Sequence, residues 1–372
     1  MEKNEFLDKL QSGQMSRRDF KKALASVGLT LVAIPFVSRA GRAATEDHPV
    51  IFTWEGYEEP DLHGSYLEKY GESPNFSFFG DEEEAFAKIR AGFAPDVAMP
   101  CSYKIPHWRD AGIIQPIDTS RLSNWADIVP SLKDVPGIVV DGKRHWVCMD
   151  WGQTSIIYRT DLVDIEEESW SLLWDERYSG RMSMLDSLID GVMVAAILAG
   201  AQDPFSMTDA EVAKTKALLQ KQLPLLRYYA NSPTDIQQAL ASGELVAGVA
   251  WNDSYTNLKG EGVPVKFMKP KEGAMTWTCG ISIMSSAEGD KLDRAYDFID
   301  AMLSPESGAY EIREFGYGHA NRKAYQIVSA EELAERGLTA NPDDLLSTGI
   351  FQKPITNEPA LQAMFEEVKA GL

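Results

Sequence analysis

Cysteine is scarce in this sequence of 372 residues, which contains only Cys101, Cys148 and Cys279. Their spacing is not that of a metal site, and three cysteines are too few for a disulfide framework. In an oxidising compartment an odd number leaves at least one cysteine unpaired, and inert buried side chains are the expected role. The five histidines also lack metal-ligand spacing, so neither a metal nor a cofactor is expected.

Motifs of the common enzyme classes are missing too. The sequence has no Gly-x-Ser-x-Gly nucleophile elbow, no phosphate-binding loop and no dinucleotide fingerprint. Catalysis does not always need such a motif, so an exported enzyme is kept as an alternative. The expected function is non-enzymatic.

No apolar run reaches the roughly 20 residues that a helix needs to span a bilayer. The N-terminal run, Ala23 to Val37, follows the twin-arginine pattern Ser16-Arg17-Arg18-Asp19-Phe20-Lys21-Lys22 and precedes Gly41-Arg42-Ala43, where small residues suit a signal peptidase. Residues 1–43 are therefore predicted to be a twin-arginine signal peptide, cleaved near Ala43, and a membrane anchor is the alternative. The mature protein is expected in the periplasm, exported by the twin-arginine machinery.

Basic residues are outnumbered, with 36 Lys and Arg against 56 Asp and Glu and a formal net charge of −20. Removal of residues 1–43, which carry eight basic and four acidic side chains, brings the charge to −24. Such a surface disfavours nucleic acid and anionic lipid, and it attracts cationic solutes at long range. No nucleic-acid partner is expected.

The order of predicted elements indicates an α/β fold with a mostly parallel sheet. A strand at 50–54, a helix at 61–70, a strand at 75–79, a helix from Asp81 and a strand at 96–99 alternate in the first part. A second series includes strands near 180–184, 245–250 and 279–285, and helices near 209–222, 234–242 and 291–303. Because the chain exceeds the usual size of a single core, two lobes are expected. Ligands of such sheets bind at the loops after the strands, where Trp54 and Tyr103 lie.

Short motifs in a fixed order resemble the periplasmic spermidine/putrescine-binding proteins of bacterial ABC importers, over nearly the whole mature chain. These motifs are Trp54-Glu55-Gly56-Tyr57, Ala85-Phe86-Ala87-Lys88-Ile89, Pro95-Asp96-Val97, Pro100-Cys101-Ser102-Tyr103, Ser169-Trp170-Ser171-Leu172-Leu173-Trp174, Tyr178-Ser179-Gly180, Gly248-Val249-Ala250-Trp251-Asn252, Glu272-Gly273-Ala274-Met275-Thr276-Trp277 and Gly316-Tyr317.

The resemblance implies a two-lobed periplasmic-binding-protein fold, similar to type II, that closes on a ligand between its lobes. It implies an N-terminal lobe of residues 44–151 and 278–324 and a C-terminal lobe of residues 152–277 and 325–372. It also implies a small-molecule ligand of the amine or polyamine class, an ABC permease as partner and a monomer. The function implied is capture of a polyamine by lobe closure.

The site that the resemblance implies is an aromatic slot with carboxylates for the ammonium groups. Its residues at the matching positions are Trp54, Tyr57, Tyr103, Asp190, Trp251, Trp277, Tyr317 and Gln352. Three positions depart from the family pattern: Cys279 and Ser187 replace expected acids, and Cys101 replaces a small hydroxyl residue. Glu55 and Asp253 are extra acids in the same motifs and are predicted to compensate. The resemblance also implies that Cys101 and Cys279 both face the cleft. A disulfide between them, or a pocket lined by their thiols, is then the alternative to inert burial.

The departures leave the ligand open among a polyamine, a quaternary ammonium, an amino-acid-like solute and Fe(III). Ferric iron is included because Tyr228 and Tyr229 are adjacent, as in iron-binding relatives of this class. Since neither tyrosine has a His or acidic partner nearby in sequence, packing is the expected role of the pair.

Overall fold

The computed structural model describes residues 47–80 and 82–372. The predicted signal peptide, residues 1–43, lies outside this range. Within the described range, no helix is both long enough and apolar enough to cross a membrane.

The described residues form short strands and helices that alternate along the chain. The strands are β1 Val50–Thr53, β2 Asn75–Phe78, β3 Val97–Ala98, β4 Ile114–Gln115, β5 Val139–Val140, β6 Lys143–Arg144, β7 Val147–Arg159, β8 Met182–Leu185, β9 Leu226–Ala230, β10 Ala247–Trp251, β11 Val265–Phe267, β12 Met275–Met284, β13 Gly318–His319 and β14 Ile350–Phe351. The helices are α1 Gly64–Tyr70, α2 Glu82–Arg90, α3 Ile105–Asp110, α4 Pro130–Lys133, α5 Met193–Leu198, α6 Asp209–Gln222, α7 Pro233–Ser242, α8 Asn252–Gly260, α9 Gly289–Met302, α10 Pro305–Glu314, α11 Ala324–Ile327, α12 Ala330–Glu335, α13 Asp343–Leu346 and α14 Glu358–Lys369.

Helices with clear local signals in the sequence are confirmed closely. Helix α6 has the predicted bounds because Thr208 and Glu211 cap its first turn reciprocally. Helix α7 begins after Ser232, whose side chain accepts a hydrogen bond from the Asp235 amide, and it ends at Gly243 with a φ of +77°. Strand β12 begins four residues before its predicted start at Cys279.

The main sheet has the order β2-β1-β3-β12-β7-β10-β8-β9. Strand β1 runs parallel to β2 and β3, and β8 runs parallel to β9 and β10. Strands β7 and β12 separate these two parallel groups and pair antiparallel to each other. The α/β class and the two-lobed organisation are confirmed. The sheet is mixed and not mostly parallel as predicted, because β7 pairs antiparallel with β10, β11, β12 and β13, and β12 pairs antiparallel with β3 and β4.

Strand β7 is long because it passes through both parts of the molecule. Its thirteen residues are nearly all buried, as expected of a strand covered on both faces. Val147 and Met149 belong to one hydrophobic core, and Ile156 belongs to another. No strand was predicted in this stretch, where the expected boundary between the lobes falls after residue 151.

The hydrophobic cores suggest where the lobes divide. One core joins β1, β3 and the first part of β7 to helices α9 and α10, and it extends through Tyr325 and Leu333 to Leu346. The other two cores lie around β8–β10, and α14 packs on one of them through Phe365. We therefore propose that the N-terminal lobe includes residues 325–346, which the expected division assigned to the C-terminal lobe.

Candidate ligand-binding cleft

Loops that follow neighbouring parallel strands carry most of the predicted site. Trp54 follows β1 and Tyr103 follows β3, while Asp190 follows β8 and Asp253 follows β10. Because the carboxyl ends of parallel strands meet at one edge, each pair of loops is brought together. Burial and Glu82 raise the pKa of Tyr103, and the charge of Asp190 adds to this rise.

Four aromatic rings are in successive contact along one side of this region. Tyr57 packs on Phe315 with ring centroids 5.6 Å apart, and Phe315 packs on Tyr317 at 6.1 Å. Tyr317 meets Trp277 edge to face at 4.8 Å. We call Tyr57, Phe315, Tyr317 and Trp277 the aromatic row. All of these residues except Phe315, which lies just before Gly316-Tyr317, were predicted site residues.

Trp277 has a glycine beneath its ring. A Cβ added to Gly152 on β7 would lie 2.1 Å from the Trp277 six-membered ring and 2.5 Å from Asn252 Oδ1. Only a residue without a side chain allows this approach. The indole Nε1 of Trp277 is buried and has no hydrogen-bond partner in the described part of the chain.

Asp190 is held by hydroxyl and indole donors, and within the described ranges it has no basic partner. Thr154 Oγ1 donates to Asp190 Oδ1 over 2.9 Å, and the Ser187 hydroxyl lies 3.2 Å from Oδ2. The Trp251 indole is a further hydrogen-bond partner of this carboxyl. Burial raises the pKa of Asp190, and these donors oppose the shift. Ser187 also accepts the Asp190 amide, so it caps the π-helical turn Leu188–Val192.

Tyr103 hydrogen-bonds a buried acid that the sequence analysis did not select. Glu82, at the start of α2, accepts the Cys101 amide over 2.5 Å and the Tyr103 hydroxyl. Burial raises the pKa of Glu82 to about 7. Lys104 Nζ lies 3.3 Å from Glu358 on α14, which joins the two parts of the molecule beside Tyr103.

Asp253 lies in the first turn of α8, and one of its carboxylate oxygens lacks a hydrogen-bond donor among the described residues. Its Oδ1 is buried and has no hydrogen-bond partner among the described residues. Burial raises the pKa of this carboxyl to about 6, and the only opposing contributions come from backbone amides. Burial raises the pKa of Tyr317 in the aromatic row, and the charge of Asp253 raises it further.

A second pair of acids, Asp150 and Glu311, lies behind the aromatic row. Asp150 on β7 is 1% exposed and accepts the Tyr57 hydroxyl, and Glu311 on α10 is fully buried. Asp150 Oδ1 and both Glu311 oxygens are buried without a hydrogen-bond partner among the described residues, and the two carboxyl groups act on each other electrostatically. Neighbouring buried carboxyl groups disfavour a second negative charge, so one proton is expected between them. Burial raises the pKa of Asp150 to about 6 and the pKa of Glu311 further above its ordinary value. In the sequence, Glu311 could have been noticed as an acid on the apolar face of α10, three residues after Gly308 and next to Ile312.

Cys101 and Cys279 form a disulfide, which corrects the expectation that both are inert buried thiols. The two residues also pair as an isolated β-bridge, because the loop after β3 runs beside β12. Their separation of 178 residues explains why spacing alone did not reveal the bond. Cys148 stays unpaired and buried, as expected for one cysteine of an odd set.

The other predicted site residues lie in different surroundings. Trp54 is half-buried, packs on Phe79 and donates its indole N–H to Met99 O over 3.0 Å. Glu55 is exposed. Gln352 is buried, and its backbone amide donates to Thr276 O over 2.9 Å.

Tyr228 and Tyr229 do not converge on one point. They are successive residues of β9, so their side chains point to opposite faces of the sheet, and they pack on different cores. No group of three or more His, Cys, Asp or Glu side chains in the described ranges is arranged to hold a metal ion. This geometry favours the packing role over an iron site.

Residues 76–339 match the family of bacterial extracellular solute-binding proteins. This match covers more than half of the chain, so the protein belongs to that family. The two-lobed sheet described above agrees with this assignment.

Two relatives and one solved structure resemble this chain over most of its length. The spermidine/putrescine-binding periplasmic protein of Salmonella typhimurium is 25% identical over 339 residues, covering 89% of this chain and 94% of its own. The putrescine/agmatine-binding protein of Pseudomonas aeruginosa is 26% identical, covering 87% and 90%. The fold resembles the spermidine/putrescine transporter substrate-binding protein PotD of Streptococcus pneumoniae, with a TM-score of 0.75, 20% identity and coverage of 87% and 99%.

Another solved structure with a similar fold contains a ligand that is not a simple polyamine. The binding protein MotA of A. tumefaciens, in complex with glucopine, has a TM-score of 0.69 and 18% identity, with coverage of 87% and 99%. Proteins of this fold therefore bind more than polyamines.

Proposed function

We propose that this protein captures an amine-bearing cation, with a di- or polyamine as the first candidate, and delivers it to an ABC importer. The ligand lies against the aromatic row and Trp251, with ammonium groups at Asp190 and Asp253. Asp253 supplies the charge that Cys279 lacks, because it reaches the same aromatic side chains from α8. The protein carries its ligand without changing it chemically.

The observation that carries this proposal is that the buried and partly buried acids of the cleft have no basic partner in the described part of the chain. Among the described residues, no Lys, Arg or His forms an ion pair with Asp190, Asp253, Asp150 or Glu311. A buried carboxylate without a counterion is costly, and a ligand ammonium removes that cost. Indole and phenol faces are also the surfaces that attract ammonium groups and their methylenes.

A thermal-shift screen of the mature protein tests the ligand class. Putrescine, spermidine, choline, glycine betaine, 4-aminobutyrate, maltose and sulfate form a panel that varies charge and length. A ligand at 100 times its Kd stabilises the folded state by about 2.7 kcal/mol, so true ligands raise the Tm. A shift with maltose or sulfate and none with any amine would overturn the proposal.

Trp251→Ala is expected to weaken putrescine binding by about tenfold to a hundredfold, because the ligand loses a ring face and Asp190 loses a donor. Isothermal titration calorimetry measures the change. Trp125→Ala is the matched control, since Trp125 is a half-buried indole that contacts Lys133 and Arg144 instead of the cleft. Equal affinities in Trp251→Ala and the unmodified protein would remove Trp251 from the site.

The proposal includes a cellular setting. The protein acts as a monomer in the periplasm, after export by the twin-arginine machinery and cleavage near Ala43. Its relatives are named as periplasmic proteins, which supports this location. The Cys101–Cys279 disulfide supports it as well, because disulfides persist in oxidising compartments.

A further inference from the structure

We propose that Glu311 is a positioning residue that holds a proton shared with Asp150, and that capture of a cationic ligand releases this proton. The inference rests on the proposed function, since it requires an ammonium group at the aromatic row. It concerns a residue that does not touch the ligand and acts through Asp150 and Tyr57.

The shared proton follows from the surroundings of the two carboxyl groups. Asp150 is 1% exposed and Glu311 is fully buried. Beyond the Tyr57 hydroxyl on Asp150 Oδ2, no N–H or O–H of the described residues donates to Asp150 Oδ1 or to either Glu311 oxygen. Two carboxylates in contact without a cation cannot both ionise in such a place. One proton between them satisfies the orphaned oxygens and removes one negative charge.

Among the described residues, the groups that surround the pair and Tyr317 carry no positive charge. From the neighbouring elements these are Tyr57, Cys148, Asp253, Tyr317, His319 and Tyr325. The His319 ring contacts Met302 O and the Asn321 amide, and burial lowers its pKa to about 4, so it is neutral. A cation that arrives from the cleft is thus the first positive charge near the pair.

Tyr57 connects the aromatic row to the acid pair. Tyr57 is part of the aromatic row and donates its hydroxyl to Asp150, while the charges of Asp150, Glu311 and Asp253 all influence the Tyr317 hydroxyl. An ammonium at the row therefore favours full ionisation of the pair, and the proton leaves to solvent. Linkage then requires the affinity for the cation to rise with pH.

Calorimetry of putrescine binding in phosphate and in Tris, which differ in ionisation enthalpy, measures the protons released. We expect net release by the unmodified protein and an affinity that rises up to about tenfold per pH unit between pH 7 and 8.5. Glu311→Gln keeps the size and one donor but removes the titration, so its release falls and its affinity changes much less with pH. Asp190 and Asp253 are intact in both proteins, and their own titration cancels in the comparison.

Glu166→Gln is the control for loss of one negative charge, because Glu166 is an exposed acid. Circular dichroism confirms that each variant folds, and Asp150→Asn repeats the test from the other side of the pair. Binding of putrescine with no proton release, or equal release by Glu311→Gln, overturns this inference and leaves the proposed function standing. Absence of binding by any amine in the thermal-shift screen contradicts the proposed function itself.

Discussion

Asp253→Asn is expected to lower the affinity for putrescine by about a hundredfold and, at the same time, to raise the stability of the ligand-free protein at pH 7.5. The loss of affinity follows because a buried ammonium would no longer face a carboxylate, and truncating such a pair costs about 2–5 kcal/mol. The gain in stability follows because the carboxyl of Asp253 has a buried, unsatisfied oxygen and a pKa raised to about 6.

The sign of the stability effect depends on pH. The pKa of Asp253 is higher in the folded protein than in the unfolded chain, where it is near 3.8. Its ionisation therefore costs nothing below pH 4 and costs the most above pH 6, with about 3 kcal/mol as an upper limit. The Asn variant should melt above the unmodified protein at pH 7.5 and close to it at pH 4.

Chemical denaturation at both pH values measures the free energy of unfolding, and calorimetry measures the affinity. Asp235→Asn is a suitable control, because Asp235 is an acid in the first turn of another helix, α7, outside the cleft. If Asp253→Asn bound putrescine as tightly as the unmodified protein, Asp253 would not be an ammonium-binding residue. Equal stability at pH 7.5 would contradict the cost assigned to its burial.

Among the variants proposed here, the one that lacks the Cys101–Cys279 disulfide is expected to lose the most free energy of unfolding. The bond closes a loop of 178 residues, for which loop-closure entropy corresponds to about 5 kcal/mol. Measured effects are often smaller, so the expected loss for the Cys101→Ser, Cys279→Ser double variant is about 2–5 kcal/mol. The double variant avoids leaving a lone thiol in the cleft.

Thiol titration and urea denaturation check this prediction. The denatured, oxidised protein should contain one reactive thiol, from Cys148, and three after reduction. Cys148→Ala serves as the control for loss of a cysteine without loss of a bond. Three thiols in the oxidised protein, or equal unfolding free energies with and without reductant, would contradict the role of the disulfide.

Much of the fold was predictable because its signals are local. The capping residues of α6 and α7 and the alternation of strands with helices lie within short windows. The continuous strand β7 was missed because its buried residues pair with four strands that are distant in sequence. The aromatic residues at strand ends were predicted for a similar local reason, together with the resemblance to a known family.

By itself, the sequence determined the α/β class, the strongly acidic charge and the aromatic side chains at the strand ends. Only the tertiary structure decided which charges and sulfurs meet. It joined Cys101 to Cys279, brought Glu311 on α10 to Asp150 on β7, and left the Asp253 oxygen unpaired. The physical reason is that burial and pairing depend on contacts between distant segments, and these contacts set both the pKa of an acid and the need for a cation.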